Sequence, residues 1–199
     1  MLDTSGKIAA FYGREYYCFS NFSSFAVLWR GRLWMTSEHA YQAAKFFDTS
    51  TEFVEMIFYA KSAYSALKFA KALKHLRAKD WEERKLSIME EVCRAKLQQH
   101  GYIQRKLLQT GLLEIVEDSP VDSFWGWGPD KNGRNELGKI WMKLRSELNE
   151  TKICYHCNGV GRLKDFMSKS RFAVLDWLSF DGEICNLCGG TGKIPAKGA

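Results

Sequence analysis

The chain has 199 residues, 46% hydrophobic and 26% charged, with a formal charge of +6 at pH 7. Those proportions exclude a disordered polymer and leave room for one substantial core plus a small appendage. The start, "MLDTSGKIAAFYG", lacks a basic segment followed by an apolar one, and no apolar run is long enough to span a bilayer, so a cytoplasmic protein with no membrane partner is expected.

Phe25 to Met35, "FAVLWRGRLWM", places two β-prone runs on either side of Arg30-Gly31 and predicts a hairpin. Thr36 or Ser37 then caps a helix reaching about Phe47. Thr49 and Glu52 have capping-box spacing and predict a second helix, "TEFVEMIFYA". A third covers about Ser62 to Leu73. Asp80 and Glu83 repeat the capping-box spacing ahead of a long helix that stops near His100-Gly101. "YIQRKLLQT" is a further short helix ending at Gly111, and "LLEIVE", Leu112 to Glu117, reads as a strand. "DSFWGWGPDKNGRNELG" is too rich in Gly, Asn and Asp to be regular throughout. From Asn135 to Leu148, the residues Leu137, Ile140, Trp141, Leu144 and Leu148 share one side of an amphipathic helix. The result is an α+β body, predominantly helical, with a small N-terminal hairpin.

Composition changes after about Glu150, which divides the chain into a body, 1–150, and a tail, 151–199. The tail has seven Lys and Arg against four Asp and Glu, so +3 of the +6 lies there and the body is equally basic. Such a balance suits anionic partners such as phosphate or nucleic acid, and plain solubility accounts for it equally well. "CYHCNGVG" and "CNLCGGTG" are two copies of C-x-x-C-x-G-x-G, built on Cys154, Cys157, Cys185 and Cys188. Each turn aims two thiolates at one point, and two such turns make the closed tetrahedral sulfur set that structural zinc prefers. One structural Zn²⁺ per chain is expected. A redox dithiol is the competing reading, but the βαβ context it needs is missing. His156 and His100 are lesser candidates for ligation, and Cys18 and Cys93 are most simply buried core thiols. The repeats resemble the cysteine-rich zinc region of DnaJ chaperones, without the J-domain "HPD" motif. That resemblance implies a zinc module for protein or nucleic-acid contact and does not imply a chaperone.

In the body, helical spacing puts Glu38, Gln42 and Lys45 on one face of "TSEHAYQAAK". His39 lies on the adjacent face. Taken alone, that is a solvated polar face with Gln42 bridging two charges. Two other segments favour a pocket. "CFSNF" sets Ser20 and Asn21 beside Phe22, and the Gly-rich segment supplies Asp122, Trp125, Gly126 and Asn135. Polar groups beside aromatics in a Gly-rich loop suit a flat base and a ribose phosphate. Asn135 also fits a simple helix N-cap, and Trp125 a simple core residue. The glycines match neither a P-loop nor a dinucleotide-binding fingerprint.

"FSNF", "WMTSEHAYQAAKF", Asp80-Trp81, "KLQQH", "LLQTG" and "WGWG…GRNELGKIWMKLR" together resemble the YbiA/NADAR family over about Phe11 to Leu148. The resemblance implies a compact, mostly helical α+β domain that hydrolyses an N-glycosidic bond. One branch of that family acts on early phosphoribosyl-amine intermediates of riboflavin synthesis; another removes ADP-ribose from modified guanine. No cofactor is required for such catalysis, and Trp81 joins the expected substrate-binding residues. Cleaving a ribosyl C–N bond passes through a cation-like state that needs nearby negative charge, a proton for the leaving nitrogen and a placed water. Glu38 is the first candidate, to orient the sugar hydroxyls and stabilise the cation or to activate water. Lys45 pairs with phosphate or, as a free amine, attacks an opened ribose C1. Asp122 serves proton transfer or hydroxyl binding; Asn21 and Asn135 bond sugar and phosphate; Trp125 and Phe22 stack on the base. His39 is structural or a partner of Glu38. The alternative function is a module that holds ADP-ribose or a nucleotide uncut, with the tail docking protein or nucleic acid.

Overall fold

The computed structural model describes residues 8–11, 14–153 and 193–195. The chain divides into two compact units, Met1–Arg145 and Ser146–Ala199.

In the first unit, β1 (Ile8–Ala10) runs parallel to β4 (Glu114–Val116), with Ala9 opposite Ile115. A 3₁₀ turn, Arg14–Phe19, follows β1. The expected hairpin forms from β2 (Val27–Trp29) and β3 (Arg32–Trp34), antiparallel with Leu28 opposite Leu33. Its two-residue turn needs positive φ at both positions, and Arg30 (φ 49°) and Gly31 (φ 73°) supply it. Val27, Trp29 and Trp34 point inward while Leu28 and Leu33 face solvent, the alternation a half-buried strand requires.

Five helices surround this frame: α1 (Ser37–Ala44), α2 (Thr51–Phe58), α3 (Ala63–Ala72), α4 (Trp81–Gln99) and α5 (Gly101–Gln109). A sixth, α6 (Glu136–Glu150), begins in this unit. Thr36 caps α1 and accepts from the His39 N–H, as expected, but the helix stops at Ala44 rather than Phe47. The cap of α2 is Ser50, not Thr49; its hydroxyl accepts from the Phe53 N–H. Ser62 caps α3 in the same way. Asp80 makes no side-chain cap at all. Its carboxylate pairs with Arg84 one turn on, at 3.0 Å, so the expected capping box gives way to an ion pair.

The core sits between α6, β1 and the 3₁₀ turn. Trp141, fully buried, packs on Phe19 with centroids 5.1 Å apart and donates its indole N–H to the Phe19 carbonyl at 3.0 Å. Phe11 closes edge-on against Phe19. Each such ring contributes roughly 1.5–3 kcal/mol by leaving water. Cys18 and Cys93 are free buried thiols, and burial pushes Cys93 up to about 12. His100 gives its Nε2 to a hydrogen bond with the Ala26 carbonyl.

In the second unit, β5 (Thr151–Ile153) pairs antiparallel with β6 (Lys193–Pro195). The cysteines Cys154, Cys157, Cys185 and Cys188, and His156 with them, lie outside the described residues. No helix among the described residues is long and apolar enough to cross a membrane.

Candidate functional site

All eight residues of α1 are buried, including Glu38, His39 and Gln42. The polar face read from the sequence is therefore not a solvated one. It forms the floor of a cavity of about 620 Å³. Glu38, Tyr41, Gln42 and Lys45 all line it, as residues one helical turn apart must when that face looks inward. Ser20, Asn21 and Phe22 form one wall and Trp81 with Met89 of α4 another. The third wall is the segment after β4, with Glu117, Ser119, Asp122, Phe124 and Trp125. Lys71 at the end of α3, Arg77, and Glu82 and Lys85 of α4 line it as well.

The α1 backbone is tied to the Asn21 wall where the Glu38 N–H donates to the Asn21 carbonyl at 3.1 Å. The Asn21 amide donates to Met89 Sδ at 3.0 Å, which fixes that side chain against α4. Glu38 is 5% exposed, and its Oε1 accepts from Gln42 Nε2 at 2.7 Å. Burial pushes its carboxyl up to about 7, with Gln42 and Lys45 working against the rise. Lys45 responds the opposite way: burial brings its amine down to about 8, opposed by the Glu38 charge. Its Nζ lies 5.5 Å from the Tyr41 ring and 5.6 Å from the Trp81 ring, and among the described residues it has no ion-pair partner.

Asp122 lines the cavity while its Oδ1 accepts from the N–H groups of Phe124 (2.9 Å) and Trp125 (2.8 Å). That turn sets Trp125 edge-on to Tyr41 at 5.6 Å, and Tyr41 in turn packs on Trp81 at 5.2 Å. The three rings make an aromatic side to a cavity whose floor is charged. Phe124 is flanked by Lys85 Nζ at 3.9 Å and the Arg134 guanidinium at 4.7 Å.

Three of the residues expected at the site do not line the cavity. His39 is fully buried behind the floor, with Nδ1 bonded to Thr36 Oγ1 (2.8 Å) and Nε2 to the Ala60 carbonyl (3.0 Å). It joins α1 to the end of α2 and has no nitrogen left for Glu38 or a ligand. Gly126 is buried against the chain: a Cβ there would sit 2.4 Å from the Glu117 carbonyl oxygen. Asn135 stands at the N-cap position of α6, where its carbonyl accepts from the Lys139 N–H at 3.0 Å, but its side chain turns to β4 rather than to the helix or the cavity. At φ 51°, its Oδ1 accepts from the Glu117 N–H (3.1 Å) and its Nδ2 donates to the Ile115 carbonyl (2.9 Å), so it clamps β4 from both sides of Val116.

What that clamp holds is the residue the sequence reading passes over. Glu117 lines the cavity, and its Oε2 is buried with no hydrogen-bond partner among the described residues; Gln42 Oε1 is in the same position. Burial first, then the Asp122 and Glu38 charges, push the Glu117 carboxyl up to about 8. One signal for it exists in the sequence. It follows directly on a strand and precedes a Gly-rich loop, the position from which α/β proteins present side chains beyond a parallel strand's carboxyl end. The strand's partner, β1, was not expected, so the strand could not be known to be parallel. Lys71 and Arg77 were missed because they lie on separate elements with no shared spacing.

Residues 10–149 match the NADAR domain family. An N-glycosidase of Nostoc punctiforme is 38% identical over 136 residues, covering 68% of this chain and 87% of its own. The N-glycosidase YbiA of Escherichia coli is 35% identical over 134 residues, 67% of this chain and 82% of its own. A riboflavin biosynthesis protein of Vibrio vulnificus is 37% identical over 131 residues, of which this chain spans only 35% of the length. The solution structure of the E. coli protein YbiA superimposes with a TM-score of 0.66 at 34% identity, covering 72% of this chain and 85% of that one. The family model spans most of the chain, and the chain belongs to the NADAR domain family.

Proposed function

We propose that this chain is an N-glycosidase that hydrolyses the C–N bond of a ribosyl phosphate or ADP-ribosyl compound. The observation that carries the reading is the pairing, within one cavity, of a buried carboxylate and a half-buried ammonium with an aromatic wall. Glu38, itself buried, supplies the negative charge that a cation-like sugar needs. Lys45, brought down only to about 8, remains mostly protonated at neutral pH. It therefore acts as a cation toward phosphate rather than as a free amine, and Lys71 and Arg77 extend that positive side. Trp81 and Trp125 flank the place for a flat leaving base.

The test is release of free base from a panel of N-ribosides: riboflavin-precursor ribosylamine phosphates, NAD derivatives and ADP-ribosylated guanine. Turnover of one class identifies the substrate. Binding without cleavage across all three leaves the non-catalytic module as the function.

For the tail we propose one structural zinc held by Cys154, Cys157, Cys185 and Cys188. The pairing of β5 with β6 supports it, because it brings the chain together just before Cys154 and a few residues after Cys188. Metal analysis should find one zinc per chain, lost on replacing Cys154 and Cys185. Salt-dependent nucleic-acid binding that vanishes when residues 151–199 are removed would give the tail its partner.

A further inference from the structure

Four carboxylates line the cavity, and their surroundings sort them. Glu82 is taken up by ion pairs with Arg77 and Lys85, each at 2.6 Å. Asp122 has one oxygen committed to two backbone N–H groups of its own loop. Glu38 accepts a hydrogen bond from Gln42 and is drawn by the Lys45 and Lys71 charges. Glu117 has neither kind of support. No donor among the described residues reaches its buried Oε2, and the charges acting on it, Asp122 and Glu38, are both negative. A carboxyl in such a place keeps its proton, because ionising it would add a third negative charge with nothing to solvate it.

We propose that Glu117 is the acid that protonates the leaving nitrogen, while Glu38 remains the carboxylate that faces the sugar. This rests on the glycosidase reading above. As the C–N bond breaks, its electron pair goes to nitrogen, which takes the Glu117 proton and departs as a neutral amine. The cation left at C1 is stabilised by Glu38. Water then adds to C1, and its surplus proton returns to the Glu117 carboxylate, so both side chains end as they began.

The backbone supports the assignment. Glu117 is held at its N–H by Asn135 Oδ1 (3.1 Å) and at its carbonyl by the Trp127 N–H (3.2 Å). Close packing of Gly126 against that carbonyl fixes it further. A loop residue gripped at both backbone polar groups, with its acid on the cavity wall and one carboxyl oxygen without a partner among the described residues, is preorganised to give a proton to something that enters. The burial that pushes Glu117 up to about 8 and Glu38 to about 7 orders the two in the same sense.

Two ribosyl 5-phosphates that differ only in leaving group test the assignment. One carries an amine, which must be protonated to leave; the other carries 4-nitrophenolate, which leaves unaided. Glu117→Gln should lose roughly 10²–10⁴-fold in kcat on the amine and stay within about fivefold of the parent on the nitrophenolate. Glu38→Gln should lose heavily on both, since it serves the cation common to the two reactions. The amide that replaces the Glu117 carboxyl is isosteric with it, and Oε2 has no hydrogen bond to forfeit, so the variant should melt no lower than the parent. Equal losses on the two substrates, or unchanged turnover of the amine, would overturn the acid role. A parent that cleaves neither overturns the glycosidase reading and this assignment with it.

Discussion

Two lysines of this protein whose amines are lowered by desolvation make opposite use of it. Lys96 in α4 is fully buried and Lys45 is half-buried, and desolvation brings both amines down to about 8. Lys96 spends its ammonium on the Ser20 carbonyl (2.9 Å) and Ser23 Oγ (2.8 Å), stitching α4 to the turn before the hairpin. Lys45 has no such partner among the described residues and faces the cavity beside Glu38. A displaced pKa therefore does not mark the site by itself. An unpartnered group with open space in front of it does, since its desolvation cost is recovered only when a ligand arrives.

The sharpest break between the two regions should come from removing Glu38, the charge that Lys45 faces and Lys96 does not. Glu38→Gln should fold normally and lose about 10³-fold or more in kcat, read from base release on whichever riboside is turned over. Near-parent turnover would remove Glu38 from the reaction. Lys96→Ala should act on stability instead. It deletes a buried stem and strands two oxygen acceptors, costing about 3 kcal/mol in a denaturant or thermal melt. Lys45→Met should do the reverse: kcat/KM falls roughly ten- to a hundredfold while the melting temperature holds or rises. Borohydride added during turnover should label no lysine. A substrate adduct trapped on Lys45 would make it a nucleophile and reverse its part in the comparison.

The smallest effect should be in the pH dependence of stability. Glu38 and Glu117 are raised to about 7 and about 8 in the folded chain. Between the ordinary carboxyl value and those pH values the folded state binds more protons than the unfolded one. Their contribution is thus fully present in acid and is lost as pH climbs through about 7 and 8. Glu117→Gln removes one of the two, so its stability should fall less than the parent's between pH 5 and 8.5. Parallel pH profiles for the two proteins would mean that Glu117 is not desolvated.

Much of this was written in local sequence. Turn chemistry at Arg30-Gly31 fixed the hairpin and its register, because a two-residue turn with positive φ leaves only one pairing. Period 3.6 placed Glu38, Gln42 and Lys45 on one helix face, and a small set of separated motifs placed the body in its family. Which way that face looks was not written there. A polar stripe has the same spacing whether it meets water or a cavity, and only the closing of the Ser20–Phe22 segment, α4 and the Glu117–Trp125 segment over α1 buried it. The same limit explains His39 and Asn135, whose residue types suit ligand contact and whose hydrogen bonds go instead to Thr36, Ala60 and the two flanks of Val116. It explains Glu117 in reverse: an ordinary acid at a strand's end became a cavity carboxyl raised by burial only because β1 paired with β4 from more than a hundred residues away. Sequence determined the elements and the chemistry available to them, since those depend on neighbours along the chain. Tertiary structure decided which polar groups found partners and which were left facing the cavity, because desolvation and hydrogen bonding are settled by neighbours in space.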